Sequence, residues 1–153
     1  MRLFLFSVNE DLFQLGVKAL ITNSKGKILL LKINKDSLKD FSGEPYWDIP
    51  GGRVHRGSSI EETLVREVRE ETGITKIKNV KPFMMVLSSI RIPLSNTDTG
   101  LILSVYVCKA KEPITVTLSN EHKECAWFSP KEASELLKVK YPVDFTNKIV
   151  SLI

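Results

Sequence analysis

Apolar positions recur along this chain in two rhythms. The runs Gly16 to Thr22 and Lys27 to Ile33 are separated by Asn23-Ser24-Lys25-Gly26, which predicts a β-hairpin closed by a glycine-containing turn. Asn34 to Pro45 is polar, with Gly43 and Pro45, and reads as a loop. Tyr46 to Pro50 leads as a short strand into the glycines that follow. The rhythm then changes. Ile60, Leu64 and Val68 make a stripe at helical spacing, Ser59 with Glu62 forms a capping-box pair, and Gly73 suits the left-handed residue after the last turn. A helix over residues 60–72 is expected.

Beyond it, Ile74 to Leu87 and Leu101 to Cys108 read as long strands around the polar turn Ser95 to Gly100, and Lys109 to Leu118 as turn and edge strand. Ser129, Pro130 and Glu132 are three agreeing helix-start signals. Phe145, Ile149 and Ile153 repeat every four residues after Tyr141-Pro142-Val143, predicting a packed C-terminal helix. Strands before and after two or three helices fit one α/β/α sandwich built on a mixed β-sheet, a single domain over residues 1–153.

The first helix carries the chemistry. Glu67 and Glu71 continue its apolar stripe, with Glu70 one step round, so three acids are expected to point at one place beside the core. Like charges at i,i+4 destabilise by about 0.2–0.5 kcal/mol, and a divalent cation removes that objection. Carboxylates without thiols or a histidine pair favour Mg²⁺ or Mn²⁺ over zinc. The plainer alternative is a solvated helix with Glu62-Arg66 and Arg66-Glu70 pairs. The flanking Pro50, Gly51, Gly52 and Gly57 weigh for a ligand, because glycine lets backbone approach closely. In the same loop Arg53 and Arg56 are either phosphate clamps or solvated, and Trp47 either stacks on a base or packs in the core.

Composition changes this picture little. The net charge of +4 hides an acidic helix inside a basic remainder: residues 61–71 carry −3 and the rest +7, which suits a cation site that attracts an anion. No basic repeat, zinc-finger spacing or aromatic RNP-like motif points to nucleic acid. No apolar run reaches the ~18 residues of a membrane span, and Leu3 to Val8 is interrupted too early for a signal peptide, so a cytoplasmic protein is expected. Cys108 and Cys125 belong to no metal or redox motif and read as buried thiols. The phosphate-loop, dinucleotide-binding and nucleophile-elbow templates are all absent.

The run from Gly52 to Ile74 resembles the Nudix box of the Nudix (MutT-like) hydrolases. Gly52, Arg66, Glu67, Val68, Glu70, Glu71, Gly73 and Ile74 fall in register with that signature, and Ser58 stands where the family has its first Glu. The resemblance implies a Nudix-type sandwich and hydrolysis of a nucleoside diphosphate linked to another moiety, such as a nucleoside triphosphate or its oxidised form. It implies Mg²⁺ or Mn²⁺ held by Glu67, Glu70, Glu71 and the Gly52 carbonyl, with Arg66 orienting the glutamates. A Glu about six residues before Trp127 serves relatives as extra ligand or general base; Glu121 holds that position, with Glu124 as substitute. The segment Ser119 to Phe128 then matches the family's loop and strand, with His122 expected as an exposed loop residue. Because of Ser58, a nucleotide-binding or sensor protein that does not turn over is the alternative. Homodimerisation is open.

Overall fold

The computed structural model describes residues 9–38 and 43–152. Its elements are β1 Phe13–Thr22, β2 Ile28–Ile33, β3 Trp47–Asp48, β4 Gly51–Arg53, α1 Ile60–Thr72, β5 Ile77–Leu87, β6 Ile92–Pro93, β7 Asp98–Ala110, β8 His122–Phe128, α2 Pro130–Leu137 and α3 Val143–Val150. One sheet runs in the order β3-β2-β1-β7-β5, with β4 on β1, β6 on β7 and β8 on β2. β1 and β7 are parallel from Phe13 opposite Gly100 to Thr22 opposite Lys109, while the other pairings are antiparallel. The sheet is therefore mixed, as expected.

Side-chain alternation along β1 divides the core into two layers. Val17, Ala19 and Ile21 pack with Leu64 and Val68 of α1, whereas Leu20 joins Ala133, Leu137, Phe145 and Ile149 of α2 and α3. Covering both faces explains why β1 and β2 read as nearly continuous apolar runs. α1 begins and ends where its caps require. Ser59 accepts from the Glu62 N–H, Glu62 accepts from the Ser59 N–H, and Gly73 sits at φ 73°. Ser129 and Glu132 build the same reciprocal cap on α2. In α3, Phe145 and Ile149 are fully buried; Ile153 lies outside the described residues, as does the run Leu3 to Val8.

Three segments depart from expectation. β7 starts at Asp98 inside the predicted turn, because Pro93 and Ile92 supply a short partner at β6. Residues 111–118 hold no strand: Pro113 has no N–H to donate to a ladder. His122 is buried at the start of β8 rather than exposed, since Ile33 pairs with it.

Candidate active site

β4 brings the glycine loop onto the central strand, with Val17 opposite Gly52 and Lys18 opposite Gly51. That pairing places the loop against the C-terminal half of α1. The Gly51 N–H donates to Glu71 at 2.9 Å. Gly52 lies so close to Glu67 that a Cβ there would meet the carboxyl carbon at 2.5 Å. Only glycine leaves that carboxylate its position. Arg66 donates to the other side of Glu67 at 2.8 Å.

Glu71 is 6% exposed. Burial pushes its carboxyl up to about 7, against the pull of Lys18 and the Gly51 N–H, with Asp48 and Glu67 adding to the rise. A buried acid with one backbone donor is incompletely compensated.

The predicted trio does not converge as one cluster. Glu67 faces Gly52, Glu71 faces Gly51, and Glu70 is exposed on α1. Among the described residues no three acids, histidines or cysteines form a ready metal cage. Glu70, one residue round from the stripe, is exposed, and its charge acts together with the hydrogen bond and charge of Glu67 on the Arg66 guanidinium, raising its pKa. The donors nonetheless suit a hard cation. Carboxylate oxygens flank a pocket too tight for a Cβ, beside an acid whose burial disfavours its charge, and Mg²⁺ completes its shell with water and phosphate rather than protein.

Trp47 takes the packing alternative of the two open to it, not the base-stacking one. Its ring packs edge-to-face on Phe128 at 5.0 Å, within the layer under α2 and α3, and does not line the cleft. Strand alternation turns Asp48 inward in its stead. Arg53 borders the cleft and donates to Gln14 at 2.8 Å, while Arg56 is exposed on the following turn. Ser58 is half-buried, its N–H donating to the His55 carbonyl at 3.1 Å. Glu121 stands at the cleft with its side chain exposed and its carbonyl accepting from the Asn34 N–H at 2.8 Å.

The cleft, about 250 Å³, exposes residues that motif reading overlooked. Asp48 accepts from Lys18 at 2.9 Å, from Lys140 at 2.5 Å and from the Tyr141 hydroxyl at 2.6 Å. Lys18 also donates to the Ile49 carbonyl. Lys18 and Lys140 are each 7% exposed and Asp48 1%. Although burial opposes it, the two ammonium groups hold Asp48 well below the usual carboxylate range. His122 also lines the cleft, lowered to about 4 chiefly by burial, so its imidazole is neutral at physiological pH; its Nδ1 is buried without a hydrogen-bond partner. A signal existed at Lys18, the only charge within the apolar run Leu15 to Ile21. Lys140 and Tyr141 gave none, because their partner lies 92 residues away in sequence from Lys140.

The arrangement joins a glycine-backed carboxylate pair to a cleft whose wall carries both Lys18, Arg53 and Lys140 and the acids Asp48 and Glu121. A NUDIX domain family model matches residues 12–147, and the chain belongs to that family. Its fold is that of the MutT protein of Methanosarcina mazei, with 30% identity over 94% of both chains and a TM-score of 0.66. An Ap4A hydrolase of Caenorhabditis elegans shares the fold at 20% identity, covering 88% of this chain and 93% of that one, with a TM-score of 0.63. In sequence, 66 residues are 42% identical to a Bacillus subtilis protein provisionally named an 8-oxo-dGTP diphosphatase, covering 43% of this chain and 39% of that protein. The chain thus spans about two-fifths of that relative's length. An ADP-ribose pyrophosphatase of Methanocaldococcus jannaschii is 39% identical over 69 residues, 45% of this chain and 37% of that protein.

Proposed function

We propose that this protein is a Nudix hydrolase that cleaves a phosphoric anhydride bond in a nucleotide derivative, a nucleoside triphosphate or its oxidised form being the leading substrate. The observation that carries the reading is the enclosure of Glu67 and Glu71 against Gly52 and Gly51, at the mouth of a cleft lined by Lys18 and Lys140. Relatives named as diphosphatases and pyrophosphatases support the same class.

In the reaction a water oxygen attacks phosphorus, the bridging P–O bond breaks, and a proton must leave the water. Mg²⁺ or Mn²⁺, held by Glu67, Glu70 and the Gly52 carbonyl, would neutralise the phosphates and acidify that water. Arg66 holds Glu67 in one orientation through its hydrogen bond. Glu71 is an apt proton acceptor because burial brings it to about 7, where a general base works best at physiological pH. Glu121 is the second candidate base, placed at the cleft with a free carboxylate edge toward solvent. Lys18 and Lys140 line the cleft but are held by Asp48, so they shape the charge of its wall and leave contact with the substrate to other groups.

Phosphate and pyrophosphate release should be measured over nucleoside triphosphates, 8-oxo-dGTP, ADP-ribose and a dinucleoside polyphosphate, with Mg²⁺, with Mn²⁺ and with chelator. Cation-dependent turnover of at least one is expected. Silence across the panel together with tight nucleotide binding would instead favour the sensor reading, for which Ser58 in the place of the first box Glu is the specific observation.

A further inference from the structure

A second charged surface lies on the ribbon of β5 and β7. No Asp or Glu occurs between Glu71 and Asp98, nor between Asp98 and Glu112, yet these stretches hold Lys76, Lys78, Lys81, Lys109 and Lys111. Antiparallel register sets Lys78 directly opposite Lys109 and Lys81 opposite Val107, and the Lys111 N–H donates to the Lys76 carbonyl. Residues two apart share a face. All five lysines therefore project from one side, away from Ile77 and Ala110, which pack toward α1. All five are exposed, and among the described residues none forms an ion pair.

Like charges directly opposite one another destabilise a sheet, where a Glu at either place would stabilise it. Lysines on an edge strand also deter sheet-to-sheet aggregation. That role accounts for Lys78 and Lys81 on β5 but not for Lys109 on the interior strand β7. Beside the ribbon, a cavity of about 340 Å³ is lined by Thr75, Lys76, Lys111, Glu112 and Thr115, its hydroxyl and ammonium donors outnumbering the single Glu112 carboxylate, which accepts from Ser24.

We propose that this face docks the phosphodiester backbone of duplex nucleic acid. Lysine and threonine contact phosphates without reading sequence. No aromatic side chain shares the lysines' exposed face: Tyr106 points to the α1 side and Phe83 packs on Phe145. Unpaired bases would thus find no stacking platform, whereas a duplex presents the denser charge and the greater counterion release. The face is distinct from the hydrolytic cleft. Lys109 pairs with Thr22 of β1, while the cleft wall uses Gly16 and Lys18, at least roughly 13 Å back along the strand.

The test is fluorescence anisotropy of the full chain on a labelled duplex of about 20 base pairs at 50 to 200 mM salt, a range over which backbone contacts lose affinity steeply. Five phosphate contacts predict a log–log slope of about −4.5. The Lys109→Glu/Lys111→Glu variant should bind at least tenfold more weakly with a slope of about −2.7 or shallower, by the same counterion arithmetic. Its nucleotide hydrolysis should be unchanged, and its Tm should hold or rise, because each new acid faces a lysine. Lys78→Gln/Lys109→Gln provides a second variant without charge reversal. Equal weakening by Lys123→Glu/Lys131→Glu on β8 and α2 would reduce the effect to net charge and overturn the proposal. Preference for phosphatidylserine vesicles over duplex, or absence of duplex binding at 50 mM salt, would overturn it too.

Discussion

The Gly51 N–H donates to the Glu71 carboxylate at 2.9 Å, tying the glycine loop to the last turn of α1 across twenty residues of sequence. Through this bond the backbone of β4 and a buried acid of the site hold one another in place. The consequences can be measured on both partners.

Glu71 should make stability fall as pH rises. Its folded value of about 7 exceeds the ordinary 4.5, so the folded state binds the extra proton between those two values. The stabilisation is full below about 4.5 and gone above about 7, and over that window it amounts to something on the order of 3 kcal/mol. In chelator at pH 8, Glu71→Gln should therefore melt higher than the parent while hydrolysis is lost. Urea titrations at pH 5 and pH 8 check the first half; an unchanged difference between parent and variant at the two pH values would contradict it.

The adjacent glycines should fail in different ways. At Gly51, φ is 150° and a Cβ would lie 2.1 Å from the Val17 carbonyl oxygen, a backbone clash with no easy escape. Gly51→Ala should lower stability by more than about 2 kcal/mol. At Gly52 the obstacle is the mobile end of Glu67. Gly52→Ala should keep nearly the parental Tm and lose activity by about a hundredfold, as a displaced catalytic group typically does. Thermal melts and kcat measured side by side distinguish the two, and equal loss of Tm would refute the contrast.

Asp48 is the counter-ion of two buried ammonium groups. Asp48→Asn strands Lys18 and Lys140 together, at a cost of about 3–5 kcal/mol. Tyr141→Phe removes one hydrogen bond to the same carboxylate and should cost about 1–3 kcal/mol. Chemical denaturation of both variants gives the order, and a milder effect for Asp48→Asn would show that the lysines find other partners.

Ser58→Glu restores the first box acid. If the hydrolase reading holds, kcat should rise with the cation concentration needed for half-maximal rate falling; a variant that stays inert under every cation would point to the sensor.

Legibility from sequence followed locality. The box helix, both of its caps, the hairpin at Gly26 and the start of α2 rest on contacts within four residues, and each was readable. The mixed sandwich followed from the order of strands and helices. What escaped depends on pairing at a distance. Strand alternation decided that Trp47 enters the core layer while Asp48 faces the cleft, and two residues written as a pair give no sign of which turns inward. His122 read as exposed because its neighbours are polar; pairing with Ile33 buries it. The Lys18-Asp48-Lys140 cluster needed the tertiary fold itself, since its third member follows α2.

β1 wears two liveries. Its odd positions, Val17, Ala19 and Ile21, are fixed by packing against α1, while Gly16 and Lys18 on the opposite side look into the cleft. The second set is held as tightly as the first, since a Cβ at Gly16 would meet Leu103 at 2.9 Å and Lys18 is the buried partner of Asp48. Insertion of a single residue before Gly16 would exchange the two sets at once, so this strand is constrained in length as well as in composition.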